Sequence, residues 1–183
     1  MLIKTKKLQQ GVARLQRVFG LEIVPMPNGL KGSNYLYEHS QARAEDLMTA
    51  FKDTSVKGIF SNIGGEDSIR LLPYIDFDVI RKKPEIFMSY SDVTVSHLFC
   101  HKAGLSSFYG SAILKDFTEN MEMDSYTIGM LKRILFSNKA IDEIKPAKNW
   151  TSDRLECDEV NKKGRRTTQS NTGYEVLQGS GVI

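Results

Sequence analysis

The chain has 183 residues, of which 40% are hydrophobic and 26% are charged. This composition is typical of a globular protein with an apolar core, and the length fits one large domain or one domain with part of another. The formal net charge is +3, and lysines and arginines are scattered apart from a short run at residues 162–166. The charge therefore does not indicate nucleic-acid binding.

The cysteines and the N-terminal residues indicate a compartment. Cys100 and Cys157 provide no disulfide framework, which favours a reducing cytoplasm. No apolar run reaches the length of a membrane span, and the first residues lack the apolar segment of a signal peptide. We therefore expect a cytoplasmic protein without a membrane partner.

The first third of the chain predicts two helices. Apolar residues at helical spacing over 4–19 predict an amphipathic helix that ends at Gly20. Residues 21–24 (LEIV) predict a short strand, and the Pro-, Gly- and Asn-rich residues 25–35 a loop. Ser40 is predicted to cap the second helix. The inner face of that helix carries Leu47, Ala50 and Phe51.

Strands and helices alternate through the middle of the chain. The patterns predict strands at residues 56–63, 85–90 and 106–109, and helical segments at 68–72, 77–83, 93–103 and from Asp124 to about Phe136. This order predicts an α/β fold: a mostly parallel sheet flanked by helices, as in Rossmann- or flavodoxin-like domains. After Lys139 the character changes. Residues 145–173 are polar and basic, which is typical of a linker or surface excursion, and residues 174–177 predict a further strand.

Two strand ends carry candidate site residues, since ligands of open α/β sheets bind at the carboxyl ends of the strands. The first is residues 62–68 (NIGGEDS), where Gly64 and Gly65 allow close approach to a ligand or simply form a turn with positive φ. The second is Ser91 in the sequence SYSD. A serine between a strand and a helix lies near the helix N-terminus, where it serves as a nucleophile or, together with Asp92, as a helix cap.

The histidines and the tryptophan give weaker signals. His97 and His101 lie one helical turn apart, a spacing that suits two metal ligands, but no further motif supports a metal. A core or surface role is the alternative. His39 lies in a polar segment. Trp150, the sole tryptophan, is interpreted either as an anchor of its segment or as a stacking surface for a ligand ring.

Together these stretches resemble the LD-carboxypeptidase family, and within it the branch of the microcin C self-immunity proteins. The resemblance rests on the run from Val56 to Gly110, which contains IGGEDS, RLLPYIDFDVI, KKPEIFMSYSDVT and GLSSFYG. RAEDLMTAFKD (43–53), NWTSD (149–153) and the terminal GYEVLQGSGVI also fit. The similarity covers nearly the whole chain.

The resemblance implies a serine peptidase with a Ser-Glu-His triad that works without metal or cofactor. It makes Ser91 the nucleophile, with the backbone N–H groups of Asp92 and Gly65 as the oxyanion hole. It also implies substrate contacts from Gly64, Glu66, Asp67 and Trp150. No residue of this sequence matches the catalytic Glu or His of the family. Ser89 stands where the family usually has a glycine, and its side chain is expected to crowd the tight turn at Ser91, called the elbow below.

The resemblance also implies the domain organisation. Residues 1–140 correspond to the α/β domain, apparently without its first strand, and residues 141–183 to a linker and the truncated start of a second, mainly β domain. The implied substrate is a murein tetrapeptide or a peptidyl or aminoacyl nucleotide, and the implied protein partner is a second copy of the chain. A truncated relative that binds such ligands without hydrolysing them is the alternative.

Overall fold

Three parallel strands form the centre of the fold, in a computed structural model that describes residues 2–141, 143–153 and 164–173. They are β1 (Gly58–Phe60), β2 (Ile86–Ser89) and β3 (Phe108–Tyr109), and they lie side by side in chain order. Ile59 pairs with Phe87, and Met88 with Phe108. The predicted α/β fold with a parallel sheet is confirmed.

Six α-helices are defined over the described residues. They are α1 (Leu2–Phe19), α2 (Ser33–Glu38), α3 (Ser40–Lys52), α4 (Phe77–Lys82), α5 (Thr94–Lys102) and α6 (Ser125–Leu135), with 3₁₀ turns at Ser68–Tyr74, Ser91–Val93 and Asp116–Thr118. The helix α6 begins where predicted because the Asp124 carboxylate accepts the N–H groups of Tyr126 and Thr127. None of these helices is both long and apolar enough to cross a bilayer.

The helices cover both faces of the sheet, because successive side chains of a strand point to opposite faces. Phe87 is buried on one face against α3, α4 and α5. Met88 is buried on the other face against α1 and α6. Cys100 lies in the first cluster as a small core residue, and burial raises the pKa of its thiol to about 12.

Three predictions for the first third of the chain are wrong. Residues 33–35, predicted as the end of a loop, form the start of the additional helix α2. Residues 21–24 form no strand. Val24 is exposed, and these residues pair with no strand in the described part of the chain. Leu21 and Ile23 pack against the second cluster instead. Ser40 does not cap α3. It is the first helical residue, and His39 holds the cap position without a side-chain hydrogen bond.

The strands are also shorter than predicted. β1 ends at Phe60 because the carbonyl groups of Ser61 and Asn62 accept the N–H groups of Ile113 and Leu114, at 3.1 and 2.8 Å, in place of a continued ladder with β2. The backbone ladder between β1 and β2 therefore ends before the glycine turn.

The polar segment after α6 contains a short hairpin. β4 (Asn149–Trp150) pairs antiparallel with β5 (Gln169–Ser170), and both strands are exposed. The strand predicted at residues 174–177 and Cys157 lie outside the described residues.

Candidate active site

Ser91 lies at the carboxyl end of the central strand, in a sharp turn from β2 into the following helix. Its backbone φ is 64°, in the left-handed region that non-glycine residues rarely adopt, and its side chain is exposed. The Ser91 N–H donates to the hydroxyl of Tyr109 on β3 at 3.2 Å, and the Thr94 hydroxyl donates to the Ser91 carbonyl. These contacts hold the serine above the edge of the sheet, at the start of a helix.

The glycine turn lies directly against this serine. A Cβ atom on Gly64 would lie 2.9 Å from Ser91 Cβ, 3.0 Å from Ser91 Oγ and 3.4 Å from Asp92 N. A Cβ on Gly65 would lie 3.1 Å from the Asp92 carboxylate. The close approach therefore requires glycine at 64, and it brings two predicted site segments together although they are more than twenty residues apart in sequence.

The Asp92 carboxylate joins the elbow to the glycine turn. It accepts the N–H groups of Asp67 at 3.2 Å and Ser68 at 3.0 Å, and the Ser68 hydroxyl. It thus satisfies backbone donors at the start of the 3₁₀ turn that begins at Ser68. The alternative in which Ser91 and Asp92 cap their own helix is wrong, since neither the turn at Ser91 nor α5 has a side-chain hydrogen bond at its cap position.

The acidic residues of the glycine turn have different environments. Glu66 is exposed. The Asp67 carboxylate accepts two hydrogen bonds of 2.9 Å from Arg43 on α3, and Arg70 lies 3.8 Å away. Asp67 therefore anchors the turn to α3, whereas Glu66 faces solvent. Substrate contacts from either residue stay a prediction.

Ser89, two residues before Ser91, lies at the end of β2. Its side chain is fully buried, and its hydroxyl shares a hydrogen bond with that of Ser61, just beyond β1. The serine that stands where the family usually has a glycine thus lies between neighbouring chain segments, and its effect on the turn at Ser91 stays a prediction.

His97 supports the elbow from behind. Its Nε2 lies 3.0 Å from the Ser89 carbonyl and its Nδ1 lies 2.8 Å from the Ser107 hydroxyl. Since a carbonyl only accepts, Nε2 carries the proton and Nδ1 accepts from Ser107. Burial lowers the pKa of His97. The ring is therefore a neutral core group whose two nitrogens are occupied, as the core alternative predicted, and it is not placed to act as a base for Ser91.

The other ring systems lie elsewhere. His39 stacks on Tyr35 at 4.0 Å between ring centroids, between α2 and α3, and His101 is exposed near the end of α5. Trp150 lies on β4 with 49% of its surface exposed.

Tyr109 was not among the residues predicted for the site. The only signal for it was its place in GLSSFYG, because its contact with Ser91 spans 18 residues.

The fold and the site define a parallel α/β domain with an exposed, conformationally strained serine between the central strand and a helix, faced by a glycine turn. The LD-carboxypeptidase N-terminal domain family matches residues 2–110 of this sequence. The chain belongs to the LD-carboxypeptidase family.

One curated relative and two solved structures illustrate the similarity. A probable murein peptide carboxypeptidase of Bacillus subtilis is 36% identical over 113 residues, which are 61% of this chain and 35% of the relative. An MccF-like protein from Streptococcus pneumoniae, solved in complex with AMP, is 37% identical with a TM-score of 0.84 over 96% of this chain and 52% of its own. The microcin C7 self-immunity protein MccF, solved with aspartyl sulfamoyl adenosine, is 26% identical with a TM-score of 0.80 over 92% of this chain and 50% of its own.

These coverages set the limits of the match. The chain spans about two fifths of the length of the first curated relatives and about half of the solved chains. The match therefore concerns the part of these proteins that contains the α/β domain.

Proposed function

We propose that this chain carries the nucleophile of a serine carboxypeptidase or amidase. The observation that carries the proposal is Ser91, exposed at a φ of 64° with Gly64 packed against its hydroxyl. Strained residues of this kind cluster at functional sites, because the surrounding contacts hold them ready to react. Membership in a peptidase family supports the same assignment.

The proposed mechanism is acyl transfer. Ser91 Oγ attacks the carbonyl carbon of the scissile amide, and the N–H groups of Asp92 and Gly65 stabilise the negative charge that develops on the carbonyl oxygen. Asp92 lies in the first turn of a helix, where backbone donors have no intrahelical partner. The amine leaves with the proton that Ser91 Oγ gives up, an acyl-serine forms, and water then releases the acid and restores the serine hydroxyl. The family's His, which acts as the base, and its Glu, which orients that His, match no residue of this chain.

The proposed substrate is an aminoacyl or peptidyl nucleotide rather than a murein peptide. The relatives solved with AMP and with aspartyl sulfamoyl adenosine support the nucleotide, as does the half-exposed Trp150, whose ring suits stacking on a nucleobase. Gly64, which packs against Ser91, and the exposed Glu66 two residues further on are proposed to contact the acyl group.

The test is hydrolysis of two substrates, aspartyl sulfamoyl adenosine and an L,D-linked murein tetrapeptide. Where the wild type turns over a substrate, we expect Ser91→Ala to lower that turnover by roughly three orders of magnitude or more, because the substitution removes the attacking oxygen. Ser106→Ala is the matched control, because Ser106 is an exposed serine on the loop before β3. Turnover that survives Ser91→Ala would contradict the assignment of the nucleophile.

A second candidate function is binding without hydrolysis. The occupied nitrogens of His97 favour it, since the histidine next to the elbow cannot take the proton of Ser91 without losing its contacts with Ser89 and Ser107. In this case the chain binds AMP with equal affinity in the wild type and in Ser91→Ala, and turns over neither substrate. Since both functions predict AMP binding, Ser91-dependent turnover of either substrate distinguishes them: it supports the hydrolase and contradicts binding without hydrolysis.

A further inference from the structure

The hairpin that carries Trp150 needs an anchor outside its own ladder. Its two strands are two residues long, and a ladder of this size is not stable by itself. Local contacts extend it: the Thr151 hydroxyl donates to the Thr167 carbonyl at 2.6 Å, and the Thr167 N–H donates to the Asp153 carboxylate at 2.6 Å. These bonds shape the hairpin but do not fix it to the domain.

Arg166 connects the hairpin to the domain. Its Nε donates to Glu119 Oε1 at 3.1 Å, its Nη2 donates to Glu119 Oε2, and its Nη1 donates to the Asp153 carbonyl at 2.8 Å. The two ionised side chains are 26% and 16% exposed. A two-pronged, partly buried pair of this kind is stronger and more directional than a surface ion pair. The neighbouring pair of Arg165 with Glu122 is 72% and 61% exposed, so it offers a matched comparison.

Glu119 is itself fixed to the body of the domain. Its carbonyl accepts a hydrogen bond of 2.6 Å from Arg14 of α1, which is 4% exposed. The same guanidinium binds the carbonyl groups of Phe117 at 3.1 Å and Met121 at 2.9 Å. The anchor of the hairpin is therefore a rigid loop held by a buried cation.

The same loop begins beside the glycine turn. Just before it, the N–H groups of Ile113 and Leu114 donate to the carbonyls of Ser61 and Asn62, which immediately precede Ile63 and Gly64. One continuous set of contacts thus leads from the glycine turn through residues 113–121 to Arg166 and the hairpin.

We propose that Arg166 and Glu119 are a positioning pair that fixes Trp150 for nucleobase stacking. The inference rests on the proposed nucleotide substrate. Neither side chain of the pair touches the ligand in this proposal: the pair acts through Trp150, by restricting the positions that the hairpin adopts. Loss of the pair therefore weakens nucleotide binding, while the Ser91 elbow and the fold stay unchanged.

The test uses the single tryptophan as its own probe. In Arg166→Ala and Glu119→Gln we expect acrylamide quenching of Trp150 fluorescence to rise and AMP binding to weaken about tenfold, which corresponds to about 1.4 kcal/mol. The double variant is expected to equal Arg166→Ala, because that substitution already removes the contact of Glu119 with the hairpin. Arg165→Ala is expected to match the wild type in both measurements. Far-ultraviolet circular dichroism checks that each variant is folded.

Three outcomes separate this inference from the proposed function. Unchanged quenching of Trp150 fluorescence in folded Arg166→Ala overturns the positioning pair, whether or not AMP binds. Wild-type AMP affinity in Arg166→Ala also overturns the pair, provided that Trp150→Phe binds AMP more weakly than the wild type. Wild-type AMP affinity in Trp150→Phe overturns the nucleotide-stacking role of Trp150 and with it the positioning role of the pair in binding.

Discussion

Ser91 combines two properties that are unfavourable for a structural residue. Its left-handed backbone conformation costs a non-glycine residue on the order of 1–2 kcal/mol, and its hydroxyl faces solvent. A glycine at this position would remove the strain. Gly64, which packs against Ser91, shows the reverse: this position requires glycine, because a Cβ atom there would lie 2.9 Å from Ser91 Cβ. The two positions together fit a reacting hydroxyl beside a close backbone approach.

Gly64→Ala tests this contact. The new methyl group would overlap Ser91 Cβ and Oγ, so we expect the free energy of unfolding to fall by about 1–3 kcal/mol and any Ser91-dependent hydrolysis to be lost. Gly129→Ala in α6 is the control, since its Cβ meets nothing within 4 Å and alanine is the better helix former, by about 0.5–1 kcal/mol. Chemical denaturation of both variants gives the comparison. Equal stability of Gly64→Ala and the wild type would contradict the close approach.

At the scale of elements, the site is a joint between β2, α5 and the 3₁₀ turn at Ser68. Asp92 joins the start of that turn to the elbow, and His97 of α5 joins the end of β2 to the segment before β3. Each of these bonds connects two different elements. The His97 bonds of this joint require a neutral imidazole, because Nδ1 accepts from the Ser107 hydroxyl.

The pH dependence of stability follows from His97. Burial lowers its pKa in the folded chain, so below the ordinary histidine pKa of about 6.5 the unfolded chain takes up the proton more readily. The contribution of the neutral ring is complete above that pH and is lost as the pH falls towards the lowered value. We expect His97→Gln, which keeps an N–H donor, to reduce the loss of unfolding free energy between pH 7.5 and 5. His101→Gln, at an exposed position, is expected to lose as much unfolding free energy over this pH range as the wild type. The same loss in His97→Gln as in the wild type would refute the assignment of the pH dependence to His97.

At the scale of the molecule, two apolar layers enclose the sheet and fix its orientation. Phe51 and Leu71 belong to the layer on the Phe87 side, and Leu15 and Phe117 to the layer on the Met88 side. The buried Arg14 connects α1 to the loop at residues 117–121, beside the second layer. The site thus lies at one edge of a sheet that is packed from both sides, which is the rigid support that a strained residue requires.

Leu15→Ala measures the contribution of the second layer. Leu15 is 1% exposed, so the deletion leaves a cavity, and we expect the free energy of unfolding to fall by about 2–5 kcal/mol. Leu98→Ala removes the same atoms from a side chain on α5 that is 56% exposed, and a change within about 1 kcal/mol is expected there. Urea denaturation monitored by circular dichroism compares the two. Similar losses in both variants would contradict the assignment of α1 to the core.

The helices α1 and α6 were predictable because their signals are local, whereas α2, which begins inside the Gly- and Asn-rich segment, was not predicted. The apolar spacing over residues 4–19 gave α1, and Asp124 gave the start of α6 through hydrogen bonds to residues two and three positions further on. The strand predicted at 21–24 failed because a strand depends on a partner, and the same local pattern also suits an extended segment whose side chains pack on the core.

The sequence by itself determined the alternation of helix and strand, the two apolar faces and the family, because periodicity, caps and motif order are properties of neighbouring residues. It also marked Ser91 and Gly64 as candidates, but left capping and catalysis open. Only the tertiary structure decided that the Asp92 carboxylate binds the glycine turn, that His97 is turned towards Ser89 and that Arg166 meets Glu119. These contacts join residues 8 to 47 positions apart, and nothing in the local sequence specifies a hydrogen-bond partner that only folding brings within reach.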